Sequence, residues 1–197
     1  AANEWMESYG TIYRQFIEKN VSCIMVGHIY QSAWERKLSP TIRETELMPA
    51  SCSKLLVNGL LRDTLGFNGL AITDATPMVG YTTIMPHRER LVASINAGID
   101  MLLFNKNIDE DYEVIASAVK EGSIRMERLD EAVARILAVK MYHGLFTEVR
   151  EETVNSTPKS VIDRTEYQWV TKKIADESIT LVKDREKHLP LTPKRYP

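Results

Sequence analysis

An α/β fold with a parallel sheet is predicted by three observations: short apolar runs at residues 21–27, 70–73 and 99–104, amphipathic helical stretches between them, and a polar residue closing the first two runs. Runs of this length suit strands buried on both faces by flanking helices. The order strand, helix, strand, helix, strand, helix requires right-handed crossovers, as in units of a (β/α) barrel or of an open doubly wound sheet. Both architectures keep their chemistry at the carboxyl ends of the strands. His28 closes the first run there and Asp74 the second.

The chain opens with Trp5, Tyr9, Ile12, Tyr13 and Phe16, spaced as one apolar stripe of a helix ending near Asn20. Cys23 lies inside the first strand run and reads as a small buried hydrophobe with a reduced thiol. Residues 31–49 lose periodicity and carry Pro40 and Pro49, which predicts a long loop on the rim of a site. Leu55, Leu56, Leu60, Leu61 and Leu65 share one helical face, with Ser51 or Ser53 to cap its start and Gly66 to end it in a left-handed turn.

After Asp74, residues 75–86 hold Pro77, Gly80 and Pro86 and read as a second functional loop. Leu91, Val92 and Ile95 form the inner face of the next helix, which Gly98 stops. Two helices follow the third strand: one carries Val114, Ile115, Ala118 and Val119 up to Gly122, and the other Leu129, Val133, Ile136 and Leu137 up to about His143. Residues 147–160 are polar and aperiodic, a linker after a first domain of residues 1–146. Within residues 161–197, Asp163 and Glu166 resemble a capping box, and residues 178–183 are predicted as a strand.

Composition narrows the function. The chain has 197 residues, 44% of them hydrophobic, and a formal net charge of −2, so it is a globular protein without a basic face for nucleic acid. No stretch reaches the ~20 apolar residues of a membrane span. The first residues lack a signal-peptide pattern, which favours a cytoplasmic setting. No Cys or His pairs stand at metal-ligand spacing, and no glycine-rich phosphate loop precedes a helix, so neither a metal nor another cofactor is expected. Asp74 reads either as a helix cap or as an acid delivered rigidly to a site. His28 reads either as a ligand to substrate or nucleophile or as a buried, hydrogen-bonded histidine.

The segment from Gly66, Phe67, Asn68, Gly69 and Leu70 to Thr73 and Asp74, then Met78, then residues 97–103, resembles glycoside hydrolase family 3. Residues 24–29 and 49–51 match as well, and residues 177–183 with 189–191 are similar to the start of that family's second domain. The resemblance implies the last three β/α units of a (β/α)8 TIM-type barrel, followed by the first helix and strand of an α/β sandwich domain. It makes Asp74 the nucleophile of a retaining glycosidase and places Met78 against the sugar, while His28, at a strand end on the same side, is the second substrate-binding candidate. A retaining enzyme needs one carboxylate to attack the anomeric carbon while an acid protonates the leaving oxygen.

The loop after Asp74 looks most like the bacterial β-N-acetylhexosaminidase branch, so terminal β-linked N-acetylglucosamine is the implied substrate. A β-glucosidase or β-xylosidase of the family and a non-catalytic carbohydrate-binding or scaffolding module are the competing readings, and water and phosphate both stay open as acceptor. The family's acid and its sugar-gripping Lys-His segment have no match here, so the site needs the N-terminal half of the barrel, and this chain alone is expected to be inactive. Three strands leave both sheet edges unpaired, so the isolated polypeptide is predicted to self-associate in sedimentation runs. A monodisperse, cooperatively folding monomer contradicts that.

Overall fold

The computed structural model describes residues 1–146 and 165–195, and the chain divides into two compact units, Ala1–Phe146 and Thr147–Pro197. The first unit holds a parallel sheet of β1 (Cys23–Val26), β2 (Leu70–Ala75) and β3 (Met101–Leu103) in that order. The strand bearing Asp74 is therefore central. Cys23 lies opposite Leu70 and Val26 opposite Thr73 in an even parallel ladder. Against β3 the ladder slips: Ile72 pairs with Met101 but Ala75 with Leu103, so three steps on β2 face two on β3. The extra residue is a bulge at Thr73 and Asp74.

The leucine-rich stretch forms a π-helix over Leu55–Thr64, continued by a Leu65 N–H that donates to the Leu60 carbonyl at 2.9 Å. A π-helix closes its turn five residues on rather than four. Residues 55, 60 and 65, and likewise 56 and 61, are five apart, so this winding keeps the leucines in line where an α-helix would splay them. Leu56, Leu60, Leu61 and Leu65 are buried with Ile24, Ala71 and Ile99 in the main core. Each such side chain contributes about 1.5–3 kcal/mol. Ser53 caps the start, its Oγ accepting the Leu56 N–H at 3.4 Å.

Several expectations are corrected. The opening helix is two helices, α1 (Ala2–Glu7) and α2 (Tyr9–Glu18), broken at Ser8 (φ −102°, ψ −88°). The break turns the stripe: Trp5 and Tyr13 still stack at 5.7 Å over the core, while Tyr9, Ile12 and Phe16 are exposed. Residues 31–49 are not all loop, because α3 (Ser32–Leu38) forms there. Its Trp34 is buried edge-on against Trp5 at 5.9 Å, and its buried Glu35 accepts the Ser53 hydroxyl at 2.7 Å. The loop after Asp74 likewise contains one helical turn, α4 (Val79–Thr82).

Helix α5 (His87–Ala97) ends at Gly98, whose φ is +113°. A Cβ at Gly98 would stand 2.5 Å from Asn58 Oδ1, so only glycine lets α5 close against the π-helix. Helix α6 (Ile108–Lys120) packs on α5, with Ala118, Ile95 and Ile124 as a small second core. In α7 (Met126–Tyr142) the expected inward residues Val133 and Leu137 are exposed. Arg128 and Ala132 are buried in their place.

The cause is Asp100, whose side chain is 0% exposed. Its Oδ2 accepts Arg62 Nη2 at 2.8 Å and the Ala71 N–H at 3.0 Å, and its Oδ1 accepts Arg128 Nη2 and Arg135 Nη1. Arg128 also donates to the Ile95 carbonyl at 3.0 Å, and Arg62 to the Gly69 carbonyl at 2.8 Å. Burial, followed by the charge of Arg135, pushes the Arg62 guanidinium below its ordinary pKa, against the pull of Asp100. One carboxylate thus joins the π-helix, β2, β3 and α7, and its demand for guanidinium groups overrides the apolar stripe.

In the second unit, α8 spans Thr165–Ser178, so Ser178 belongs to a helix and the expected strand at 178–183 does not form. A strand needs a ladder partner, and the described residues of this unit supply none. The linker 147–160 and Asp163 of the expected capping box lie outside the described residues.

Asp100→Asn leaves one buried and two half-buried arginines facing one neutral amide. It is predicted to destabilise the first unit by about 3–5 kcal/mol, seen as a drop in the urea midpoint. A shift below about 0.5 kcal/mol contradicts the role assigned to Asp100.

Candidate active site

In a parallel sheet all strands end on the same side, so the residues following β1, β2 and β3 meet at one face. Asp74 stands at that face on the central strand. Its side chain is half-buried, and Oδ1 accepts the Ala75 N–H at 2.7 Å. Among the described residues no other hydrogen-bond or ion-pair partner reaches its carboxylate. A carboxylate fixed on one oxygen and open on the other suits attack on a ligand better than a packing role. A helix cap is the wrong reading, since the following helical turn starts from Met78 with no side-chain cap.

The bulge explains how β2 turns there. Thr73, fully buried, accepts the Leu103 N–H on its hydroxyl at 2.9 Å, so a side chain replaces the ladder bond that the extra residue removes. Thr76 re-enters the pairing: its N–H donates to the Leu103 carbonyl at 3.0 Å and its hydroxyl to the Phe104 carbonyl at 3.0 Å. Phe104, at φ +52°, is exposed at the carboxyl end of β3.

His28 is buried, and both ring nitrogens are occupied within the chain. Nδ1 is 2.7 Å from Ser51 Oγ and Nε2 is 3.2 Å from the Ala75 carbonyl. Its ring lies 4.4 Å from that of Tyr81, whose hydroxyl reaches Ser94 Oγ at 2.9 Å. Of the two readings of His28, this geometry favours the buried, hydrogen-bonded histidine behind β2 over direct contact with a ligand. Met78 is 45% exposed and starts α4, open to solvent on the same loop as Asp74.

Sequence reasoning missed Thr73, Ser51, Tyr81 and Ser94 as members of this layer. The available signal was a lone aromatic, Tyr81, inside a loop punctuated by Pro77, Gly80 and Pro86. Burial pushes the Tyr81 phenol well above its ordinary pKa, so its hydroxyl remains a donor. Burial also raises the Cys52 thiol, which lies 3.5 Å from Ser94 Oγ. A second acid, Glu35, is buried farther back, with one oxygen on Ser53 and Met48 and the other without a hydrogen-bond partner among the described residues. A concavity of about 410 Å³ lies along the outer edge of β1, lined by Trp5, Tyr13, Met25 and Leu60 among others, and Asp74 does not line it. It is an apolar edge of the core.

A parallel α/β sheet with an open carboxylate at the end of its central strand belongs to a class of folds that keep their ligand sites at that edge. The comparisons narrow this class. The family model described as the glycosyl hydrolase family 3 N terminal domain matches residues 2–139. A β-N-acetylglucosaminidase/β-glucosidase of Cellulomonas fimi is 39% identical over 197 residues, 100% of this chain and 35% of its own length. A solved β-glucoside phosphorylase, BglX, is 44% identical with a TM-score of 0.81, over 98% of this chain and 35% of that one. A family 3 β-N-acetylglucosaminidase from Paenibacillus sp. str. FPU-7 is 25% identical with a TM-score of 0.66, over 87% of this chain and 31% of that one. The chain belongs to glycosyl hydrolase family 3, and it spans about a third of the length of these relatives.

Cys23 is half-buried and Cys52 buried, with burial raising both thiols. Titration with a disulfide reagent at pH 8 is predicted to modify Cys23 first and Cys52 only on unfolding. Equal rates would show that the layer behind Asp74 is open.

Proposed function

We propose that Asp74 is the nucleophile of a retaining β-glycosidase that removes terminal β-linked N-acetylglucosamine. The carrying observation is the half-buried carboxylate at the bulged end of β2, held by one backbone N–H and, among the described residues, by no other protein partner. In the first half-reaction its free oxygen attacks the anomeric carbon as an acid protonates the leaving oxygen, giving a glycosyl-enzyme. In the second, an activated acceptor releases the sugar with retention. The names of the Cellulomonas and Paenibacillus relatives support the N-acetylglucosaminide.

The acid is assigned to a part of the family fold beyond these residues. The three β/α units are read as the last three of a (β/α)8 barrel, with residues 147–160 as linker and 161–197 as the start of a sandwich domain. Met78 is placed beside the sugar through its exposure on the Asp74 loop. A second reading of the acceptor, phosphate in place of water, is favoured by the 44% identity to a β-glucoside phosphorylase. The same comparison, with the second half of the Cellulomonas name, keeps β-glucosides as the alternative substrate.

On the polypeptide of full family length carrying these residues, Asp74→Gly is predicted to lower turnover of a chromogenic β-N-acetylglucosaminide by on the order of 10⁴ or more. Azide should restore activity and yield the α-glycosyl azide, because it enters from the vacated face. A β-azide, or turnover within tenfold of wild type, removes Asp74 from the role. In the same assay kcat/KM for the N-acetylglucosaminide is predicted to exceed that for the glucoside, and a rate that saturates with phosphate identifies the acceptor.

A further inference from the structure

We propose that His28 is a positioning residue for Asp74: its Nε2–H, kept in that tautomer by Ser51, clamps the Ala75 carbonyl and thereby fixes the strand end that carries the carboxylate. This rests on the reading of Asp74 as nucleophile.

The Ala75 carbonyl can only accept, so Nε2 at 3.2 Å carries the proton. In the neutral ring Nδ1 is then an acceptor, and the Ser51 hydroxyl at 2.7 Å is its donor. Ser51 is fully buried and held in the short helical turn Ala50–Cys52, so solvent does not compete for this bond. The imidazole lies against Tyr81, also fully buried, whose hydroxyl is tied to Ser94 Oγ at 2.9 Å or to the Arg90 carbonyl at 3.1 Å. The ring is fixed at both nitrogens and on one face.

The clamped carbonyl belongs to the residue whose N–H holds Asp74 Oδ1 at 2.7 Å. That carbonyl also accepts the Met78 N–H at 3.1 Å, closing a four-residue turn through Thr76 and Pro77. Proline is disfavoured at the third position of the commonest turn, and Thr76 before it is biased toward extended backbone. The turn therefore depends on outside support. Thr76 is anchored on β3 and Ala75 on His28, so the Ala75–Thr76 peptide is pinned from both sides, and it adjoins the peptide whose N–H holds Asp74. Small displacements of a nucleophile cost large factors in rate.

The test uses the polypeptide of full family length and a chromogenic β-N-acetylglucosaminide. His28→Phe keeps the ring on Tyr81 and removes both nitrogens. It is predicted to lower kcat by about 10- to 100-fold with KM changed less than about twofold. His28→Gln places an amide N–H near the position of Nε2 and is predicted to restore kcat to within about fivefold of wild type. Ser51→Ala frees the tautomer and is predicted to lower kcat, less than His28→Phe does, at unchanged KM.

A KM raised tenfold with kcat retained would make His28 a sugar ligand and overturn the proposal. So would a Gln variant no faster than the Phe variant, or a Ser51→Ala variant at wild-type kcat, and these last two measurements decide the matter if His28→Phe does not fold. Asp74→Gly separates the two claims. If it still turns over, the nucleophile reading itself fails. If it is inactive and rescued by azide while His28→Phe runs at wild-type rate, only the clamp fails.

Discussion

The first unit depends on Asp100. A carboxylate removed from water between the starts of two strands is costly unless it is fully paired. Here Arg62, Arg128, Arg135 and the Ala71 N–H all converge on it. The arginines come from the π-helix and α7, so satisfying one charge fixes the place of both helices against β2 and β3. The same requirement explains why α7 presents Arg128 inward and leaves Val133 and Leu137 exposed.

This cluster lies at the amino end of the central strand, and the proposed nucleophile lies at the carboxyl end. Asp100 sets where β2 begins, with its carboxylate on Ala71, and the ladder with β1 runs evenly from Leu70 to Thr73. The bulge then shifts β2 by one residue against β3, and Thr73 and Thr76 repair the pairing on either side of it. Rigid anchoring at one end and a supported irregularity at the other place a carboxylate at the sheet's face with one oxygen unclaimed among the described residues. An even strand would carry its side chains in simple alternation. The extra residue changes that aim.

Much of this was legible in the sequence. Glycine turns, apolar runs of strand length and the abrupt change to Asp74 are local signals, and they located the three strands and the candidate acid. The leucines five apart also carried the π winding, although a search for helical faces reads them as an ordinary helix. What was not legible is long-range. The layer of His28, Ser51, Tyr81 and Ser94 joins residues distant in the chain, and no periodicity announces such contacts. Nor does the sequence near Arg128 disclose that a guanidinium will displace an apolar side chain, because the reason is the burial of Asp100 elsewhere. The helix α3 was hidden by Pro40 just past its end and by polar neighbours, and it forms because Trp34 and Glu35 find partners in Trp5 and Ser53. The strand expected at 178–183 had the right local pattern and no sheet to join.

The account stands or falls on whether the free oxygen of Asp74 forms a bond to sugar. Incubating the polypeptide of full family length with an activated 2-deoxy-2-fluoro-β-glycoside slows release of the glycosyl-enzyme, and peptide mapping by mass spectrometry then locates the sugar. The account predicts one added glycosyl group per chain, on the peptide containing Asp74. A label on another residue, or none in a preparation that turns over substrate, contradicts it.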